Sequence, residues 1–441
     1  MVNLRNTEIL DWLYSRESLF NVDVQKIGFS EMEDWSIETE TGCISHKSGK
    51  FFSIQGIRVS TNWGGVNHWD QPIINQPEIG ILGIIAKEFN GTIYYLLQAK
   101  IEPGNIGTIQ LSPTLQATKS NYTKVHKGKT PDYLEYFLSN KKNIVIDQLQ
   151  SEQGARFLHK RNRNIIILVE EDVEHNDNFF WMTLDEIKNL MRQDNVVNMD
   201  TRSVIAGLNI RNQIYPSYNR YDKQRGEMFS LNEILSWIAD QKSRYEIDVR
   251  RTSLSNIDSW IVSDYDIHHR EDKYFKVIAA KVQIAGREVS KWTQPMVESA
   301  QEGLIAFVVK RINGVIHFLV QAKVEAGNLD IIELAPTVQC LTGNYRDVGD
   351  AKLPYLDFVL SAQDSQIILD TLQSEEGGRF YREQNRNIIV FADDNFQTDL
   401  PSNYIWMTYD QLQLFIMFNN YINIQARSLL AAIKKCDDEI Y

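Results

Sequence analysis

Apolar and polar positions run through this chain in the same order twice. Each pass opens on a predicted helix, Glu8-Ile-Leu-Asp-Trp-Leu13 and Glu233-Ile-Leu-Ser-Trp-Ile238. Strand-rich stretches follow. Ser45 to Ile54 places a turn before an aromatic strand, and Ile79 to Ala86 is an apolar strand. Asn90-Gly91, repeated as Asn313-Gly314, predicts a type I′ hairpin whose partner strand is Thr92 to Glu102. Asn143 to Gln150 leads into a helix expected near Ser151 to Lys160, and Asn164 to Val169 reads as a buried strand. Trp181-Met-Thr183 opens a further helix. Thr183 and Glu186 are spaced as a capping box, and Thr408 and Gln411 repeat it. A mixed sheet flanked by helices, an α+β class, is the most economical assembly for each pass.

The two passes hold a constant register. Trp69-Asp-Gln-Pro72 returns 223 residues later as Trp292-Thr-Gln-Pro295. At the same shift Gln98-Ala-Lys-Ile-Glu-Pro-Gly-Asn105 returns as Gln321-Ala-Lys-Val-Glu-Ala-Gly-Asn328, and Gln150-Ser-Glu-Gln-Gly-Ala-Arg-Phe157 as Gln373-Ser-Glu-Glu-Gly-Gly-Arg-Phe380. A repeat of that length is a domain, not a solenoid unit. The expectation is two tandem modules, 1–213 and 228–441, joined by a polar linker with one Pro and one Gly.

Composition narrows the function. With 43% hydrophobic and 24% charged residues the chain is ordinary for a globular protein. A net charge of −12 argues against a nucleic-acid surface. Cys43, Cys340 and Cys436 occupy unrelated positions in the two copies, so neither a disulfide nor a zinc framework is expected. No apolar run reaches the roughly 18 residues of a membrane span, and the first residues lack a signal-peptide core. A cytoplasmic protein is expected. There is no dinucleotide-binding glycine motif, P-loop, zincin or nucleophile-elbow signature. No metal or cofactor is expected.

Residues kept in both copies are candidates for chemistry. Gln98, Lys100 and Glu102 alternate along one strand and so share a face. The second copy repeats them as Gln321, Lys323 and Glu325. Such a face is either solvated or a pocket wall. The loops Thr118-Lys119-Ser120-Asn121-Tyr122 and Leu341-Thr342-Gly343-Asn344-Tyr345 offer small residues and backbone amides suited to diphosphate oxygens, or are turns with a packed tyrosine. Arg156 and Arg379 are candidate anion ligands. Glu152 and Glu375 fall where a helix start is expected, and Phe157 and Phe380 read as core. His46 and His269 align, each five residues before an aromatic pair. Trp35, Trp69, Trp260 and Trp292 align in pairs, and their polar neighbours favour partial exposure, with faces free to meet a base or sugar.

The segments His46 to Gly56, Trp69 to Pro72, Gln98 to Asn105 and Ser112 to Tyr122 together resemble the NDP-hexose 2,3-dehydratases, over essentially the whole chain. The resemblance implies two modules shaped like Nudix hydrolases and a homodimer. It implies a dTDP-4-keto-6-deoxyglucose substrate and a product consumed by a separate 3-ketoreductase. The Nudix catalytic signature is absent from both copies, which argues against diphosphate hydrolysis. The implied reaction needs no cofactor: a base removes the proton on carbon 3, an enolate forms, and the carbon-2 hydroxyl leaves with help from an acid. On this reading Lys100 steadies the enolate or the leaving group, and Glu102 or His46 is the base. Thr118, Ser120, Asn121 and Tyr122 hold diphosphate, and Trp35 or Trp69 faces sugar or thymine. The second copy offers an equivalent set, and the more polar Thr118 loop favours the first as the catalytic one. A 3,4-ketoisomerase and a non-catalytic nucleotide-sugar binder remain open.

Overall fold

The computed structural model describes residues 2–118, 130–139, 143–208, 226–284, 290–341, 353–436 and 439–440. Each copy contributes a seven-stranded mixed sheet. In the first, the order is Asn143–Ser151, Arg161–Val169, Gly80–Phe89, Thr92–Ile101, Phe179–Thr183; short strands Ile109–Ser112 and Leu115–Ala117 pair with Thr92–Ile101 and Gly80–Phe89. Only the Arg161–Val169 and Gly80–Phe89 pair in that sheet is parallel. Gly303–Ile312 and Gln384–Ala392 repeat that pair in the second copy. The hairpin signals hold: Asn90 and Gly91 have φ of 49° and 79°, Asn313 and Gly314 52° and 84°. Thr183 caps the helix Leu184–Leu190 and Thr408 the helix Tyr409–Ile416, both with reciprocal capping boxes. Trp181 and Met182 lie just before that helix, in the strand Phe179–Thr183.

Two smaller five-stranded sheets exchange strands between copies. Val22–Ile27 of the first copy pairs with Phe275–Ile284 of the second, and Ile247–Thr252 of the second pairs with Ser53–Thr61 of the first. Alternation fits these strands to that place: Val22 and Val24 pack on the core while Asp23 and Gln25 stay exposed. The largest apolar cluster accordingly joins Ile84, Leu97 and Leu111 to Phe307, Val320 and Leu334. The buried helices Met199–Ile205 and Ile424–Ala431 lock the copies further. The Arg202 guanidinium donates to the Ser374 carbonyl at 2.6 Å, and Arg427 to the Ser151 carbonyl at 2.6 Å.

The helix expected at Ser151 to Lys160 does not form. After the strand Asn143–Ser151 the chain makes a tight turn in which Arg156 and Phe157 both donate to the Gln153 carbonyl. Its other backbone groups are taken elsewhere. Leu158 donates to Ile74 and Ile74 to Arg156, each at 2.9 Å, and His159 donates to Gly327 of the other copy at 2.8 Å. These bonds satisfy groups that a helix would otherwise pair. Phe157 and Phe380 meet edge to face across the pseudo-symmetric centre, 5.9 Å apart. Gly104 and Gly327 serve close approach between copies: a Cβ on Gly104 would lie 1.6 Å from the Phe380 carbonyl oxygen.

Candidate active site

One cavity of about 940 Å³ opens at the junction of the two copies. That is the size range of pockets for drug-sized or nucleotide-like ligands. One wall is the strand Thr92–Ile101, which turns Gln98 and Lys100 inward, with Glu102 just beyond its end. The opposite wall comes from the second copy: Trp292 and Gln294 of strand Lys291–Ser299, and Glu376, Gly378 and Arg379 of the turn after Ile367–Ser374. Trp35, His46 and Thr118 complete the perimeter from the first copy.

The floor is densely charged. Lys100 Nζ lies 3.2 Å from Glu102 Oε1, and the Gln116 amide donates to that same oxygen at 2.9 Å. Glu102 Oε2 is buried and makes no hydrogen bond. Asn162 donates to Glu152 at 2.9 Å, while the other Glu152 oxygen is likewise buried without a partner. Asp200 comes up from the helix Met199–Ile205, and Lys160 donates to the Glu78 carbonyl. Burial, then the Glu376 charge, pushes Glu152 up to about 7. Burial pushes Glu376 up to about 8, with Glu102 and Asp200 adding to it against the opposing pull of Arg379. Asp200 is raised well above its ordinary value, by burial first and then by Glu152 and Glu102. Burial and mutual repulsion thus favour the neutral forms of Glu152, Asp200 and Glu376. With the Lys100–Glu102 pair beside them, the cavity has the makings of an acid–base site.

Strand exchange decides which candidates meet. Trp35, His46, Gln98, Lys100, Glu102, Thr118, Glu152, Trp292 and Arg379 line this cavity; Trp69, Arg156, Trp260, Gln321, Lys323, Glu325 and Glu375 do not. Arg379 lies over the Phe52 ring at 4.2 Å and Arg156 over Phe275 at 4.1 Å, so each copy's arginine serves the other's small sheet. Trp35 and Trp260 are buried rather than partly exposed, because each indole reaches across the interface. Trp35 Nε1 donates to the Thr293 carbonyl and Trp260 Nε1 to the Asp70 carbonyl, both at 2.7 Å. Trp69 and Trp292 are half-buried, each donating to a glutamine two residues on at 2.8 Å. His46 is half-exposed, edge-on to Trp35 and Phe51, with Nδ1 2.8 Å from Ser48 Oγ. Lys119, Ser120, Asn121, Tyr122, Thr342, Gly343, Asn344 and Tyr345 lie outside the described residues.

The related face in the second copy is built from the same strand but different surroundings. Gln339 donates to Glu325 at 2.9 Å, as Gln116 does to Glu102. Lys323 instead lies over the Trp63 ring at 5.6 Å. Where the cavity has Lys160, Asp200 and Glu376, the aligned positions are Glu383, Gln425 and Gln153. Those three cavity residues are the ones missed by looking for identity between copies. For Glu376 the signal was the opposite, a change of charge amid unchanged neighbours, Ser374-Glu-Glu-Gly377 against Ser151-Glu-Gln-Gly154; Lys160 and Asp200 differ together with the residues beside them. Among the described residues no group of three or more His, Cys, Asp or Glu is placed to hold a metal ion.

Residues 6–208 and 231–433 each match the family model of the NDP-hexose 2,3-dehydratases. The chain belongs to that family. A dTDP-4-dehydro-6-deoxy-alpha-D-glucopyranose 2,3-dehydratase of Saccharopolyspora spinosa is 42% identical, over 97% of this chain and 91% of that protein. Enzymes of the same name from Amycolatopsis orientalis and Streptomyces violaceoruber are 41% and 40% identical, over 98% and 97% of this chain and 91% and 96% of theirs.

Proposed function

We propose that this protein is a hydro-lyase that removes the carbon-2 hydroxyl of dTDP-4-keto-6-deoxyglucose, giving a 3,4-diketo-2,6-dideoxy sugar nucleotide. The observation that carries this reading is the Lys100–Glu102 pair on the cavity floor, surrounded by buried carboxyls. The ketone at carbon 4 acidifies the hydrogen on carbon 3. Glu102 takes that proton through its unpartnered oxygen, and Lys100, two residues back on the same face, donates to the developing enolate on carbon 4. Their polar ends lie 3.2 Å apart, a separation that suits groups acting at adjacent ring positions. A fixed donor of this kind contributes roughly 10²–10³ in rate. Collapse of the enolate expels the carbon-2 oxygen, and the enol relaxes to the diketone. His46 stands at the perimeter as the alternative base.

Arg379, Thr118 and the segment beyond it hold the diphosphate, and Trp292 offers its face to sugar or base. Within the same reading each module, 1–213 and 228–441, is Nudix-like, supported by its mixed sheet with one parallel pair. The enzyme acts as a cytoplasmic homodimer. Exposed Ile37, Ile261, Val262 and Tyr265 along the small-sheet edges support an interface there. A 3-ketoreductase consumes the reactive diketone. The test is coupled turnover of dTDP-4-keto-6-deoxyglucose with such a reductase and NADPH, for wild type and for Lys100→Met and Lys323→Met separately. Loss with the first and retention with the second is expected. Equal loss from both would sink the one-site assignment.

A further inference from the structure

We propose that Glu376, carried by the second copy, is the general acid that protonates the departing carbon-2 hydroxyl at the cavity built on the first copy's strand. The proposal rests on the dehydratase reading above and adds the donor that reading leaves unnamed.

Three observations single it out from the other cavity carboxyls. The first is position. A Cβ on Gly378 would lie 2.5 Å from Glu376 Oε1 and 3.9 Å from Glu102 Oε1. The two carboxyls, from different copies, thus face one small volume beside Lys100. The second is freedom. Glu152 is tied to Asn162, a pairing repeated as Glu375 with Asn385, which marks it as common architecture. Asp200 is held on a buried helix and is 3% exposed. Glu376 is partly exposed to the cavity and has no side-chain hydrogen bond among the described residues. The third is the built-in comparison. Its counterpart is Gln153, which donates its amide to Glu375 at the pseudo-equivalent place. A glutamine fills the same turn with the same shape and no proton to give. At this position of the turn the chain has kept a poorly solvated carboxyl, with its desolvation cost, in the copy that faces Lys100 and Glu102 and a glutamine in the other.

The step balances. The bond from carbon 3 to hydrogen breaks and its proton goes to Glu102; the electron pair becomes the enolate. The enolate reforms the carbon-4 carbonyl as carbons 2 and 3 become doubly bonded. The bond from carbon 2 to oxygen breaks, and that oxygen takes the Glu376 proton and departs as water. Glu376 ends as carboxylate, Glu102 as acid, and proton exchange between them or with water resets the pair.

The test separates the two half-reactions. Wild type, Glu376→Gln and Glu102→Gln are each incubated with dTDP-4-keto-6-deoxyglucose in deuterated water. Deuterium at carbon 3 of recovered substrate and loss of water are both followed by mass spectrometry. Removing a general acid costs on the order of 10²–10⁴ in rate. The expected result is that E376Q loses dehydration by at least about 100-fold yet still exchanges the carbon-3 hydrogen, while E102Q loses both. E376Q dehydrating at the wild-type rate would overturn the assignment. So would loss of exchange together with dehydration, which would make Glu376 the base or a positioning group. Glu376→Asp guards against a folding artefact: it keeps an acid one methylene shorter and should recover part of the dehydration rate. Wild type that neither exchanges nor dehydrates would instead defeat the functional reading itself, and the acid assignment with it.

Discussion

Gly104→Ala should be among the most damaging small substitutions in this chain. The added methyl would sit 1.6 Å from the Phe380 carbonyl oxygen and 2.8 Å from that of Gly377, both backbone atoms of the other copy. Ordinary contact needs roughly 3.5 Å, so the two turns must separate by about 2 Å. Two backbone hydrogen bonds span that gap, Gly104 N–H to Gly377 and Arg382 N–H to Gly104, both at 2.8 Å. Stretched by that much they no longer qualify as bonds. At about 1–3 kcal/mol for each bond left broken in a buried place, the loss is about 2–6 kcal/mol. Unfolding entropy of about 2 cal/mol/K per residue over 441 residues gives a fall in Tm of about 2–7 °C. Gly107→Ala in the same loop is the control. Gly107 has a φ of 75° but nothing within 4 Å of its Cβ position, so only the backbone cost of about 1–2 kcal/mol applies. Differential scanning calorimetry of both variants checks the argument. A Gly104→Ala melting point level with or above that of Gly107→Ala would refute the close-approach account of this turn. Turnover should fall with it, since Glu102 and Glu376 sit on the separated turns.

Other expectations follow from the same geometry. Lys100→Met should lower kcat by roughly 10²–10³ with little change in KM, whereas Lys323→Met should stay within a few-fold of wild type in steady-state assays. Arg379→Ala should raise KM far more than Arg156→Ala, because only Arg379 lines the cavity; equal effects would count against the exchanged architecture. With Glu376 raised to about 8 by burial and needed in its neutral form, kcat/KM should decline as pH rises through that value. The high-pH limb should vanish from the residual rate of Glu376→Gln. Glu333, which does not line the cavity, is raised to about 8, chiefly by burial. Its folded-state pKa exceeds its unfolded value, so its contribution is full below about 4.5 and is lost as pH rises toward 8. Glu333→Gln should therefore flatten the decline in denaturant midpoint between pH 5 and 8; an unchanged slope would contradict that.

Much of the site was legible because the chain carries its own comparison. The period-two face Gln98, Lys100, Glu102 needed only strand geometry and repetition to stand out. The Asn-Gly hairpins and the Thr183 and Thr408 caps are local features, and local rules placed them. What local rules could not supply was partner choice. Two homologous copies present nearly equivalent strand edges, so nothing in the alternation of Val22 to Ile27 says whether it pairs with its own copy or the other. That choice puts Trp292 and Arg379, rather than Trp69 and Arg156, beside Lys100. The turn at Ser151 to Lys160 was misread for the same reason. Its polar start suits a helix end, but its backbone bonds go to Ile74 and Gly327, contacts that exist only once both copies are assembled. The polar neighbours of Trp35 and Trp260 favour partial exposure, but acceptors on the opposite copy draw both indoles inward.

Dehydration at carbon 2 can be read out in one experiment. The most direct measurement is mass spectrometry of dTDP-4-keto-6-deoxyglucose incubated with the purified protein, a 3-ketoreductase and NADPH. Loss of one water followed by gain of two hydrogens is the predicted outcome. A substrate recovered at unchanged mass, with wild-type protein folded and in excess, would contradict the account.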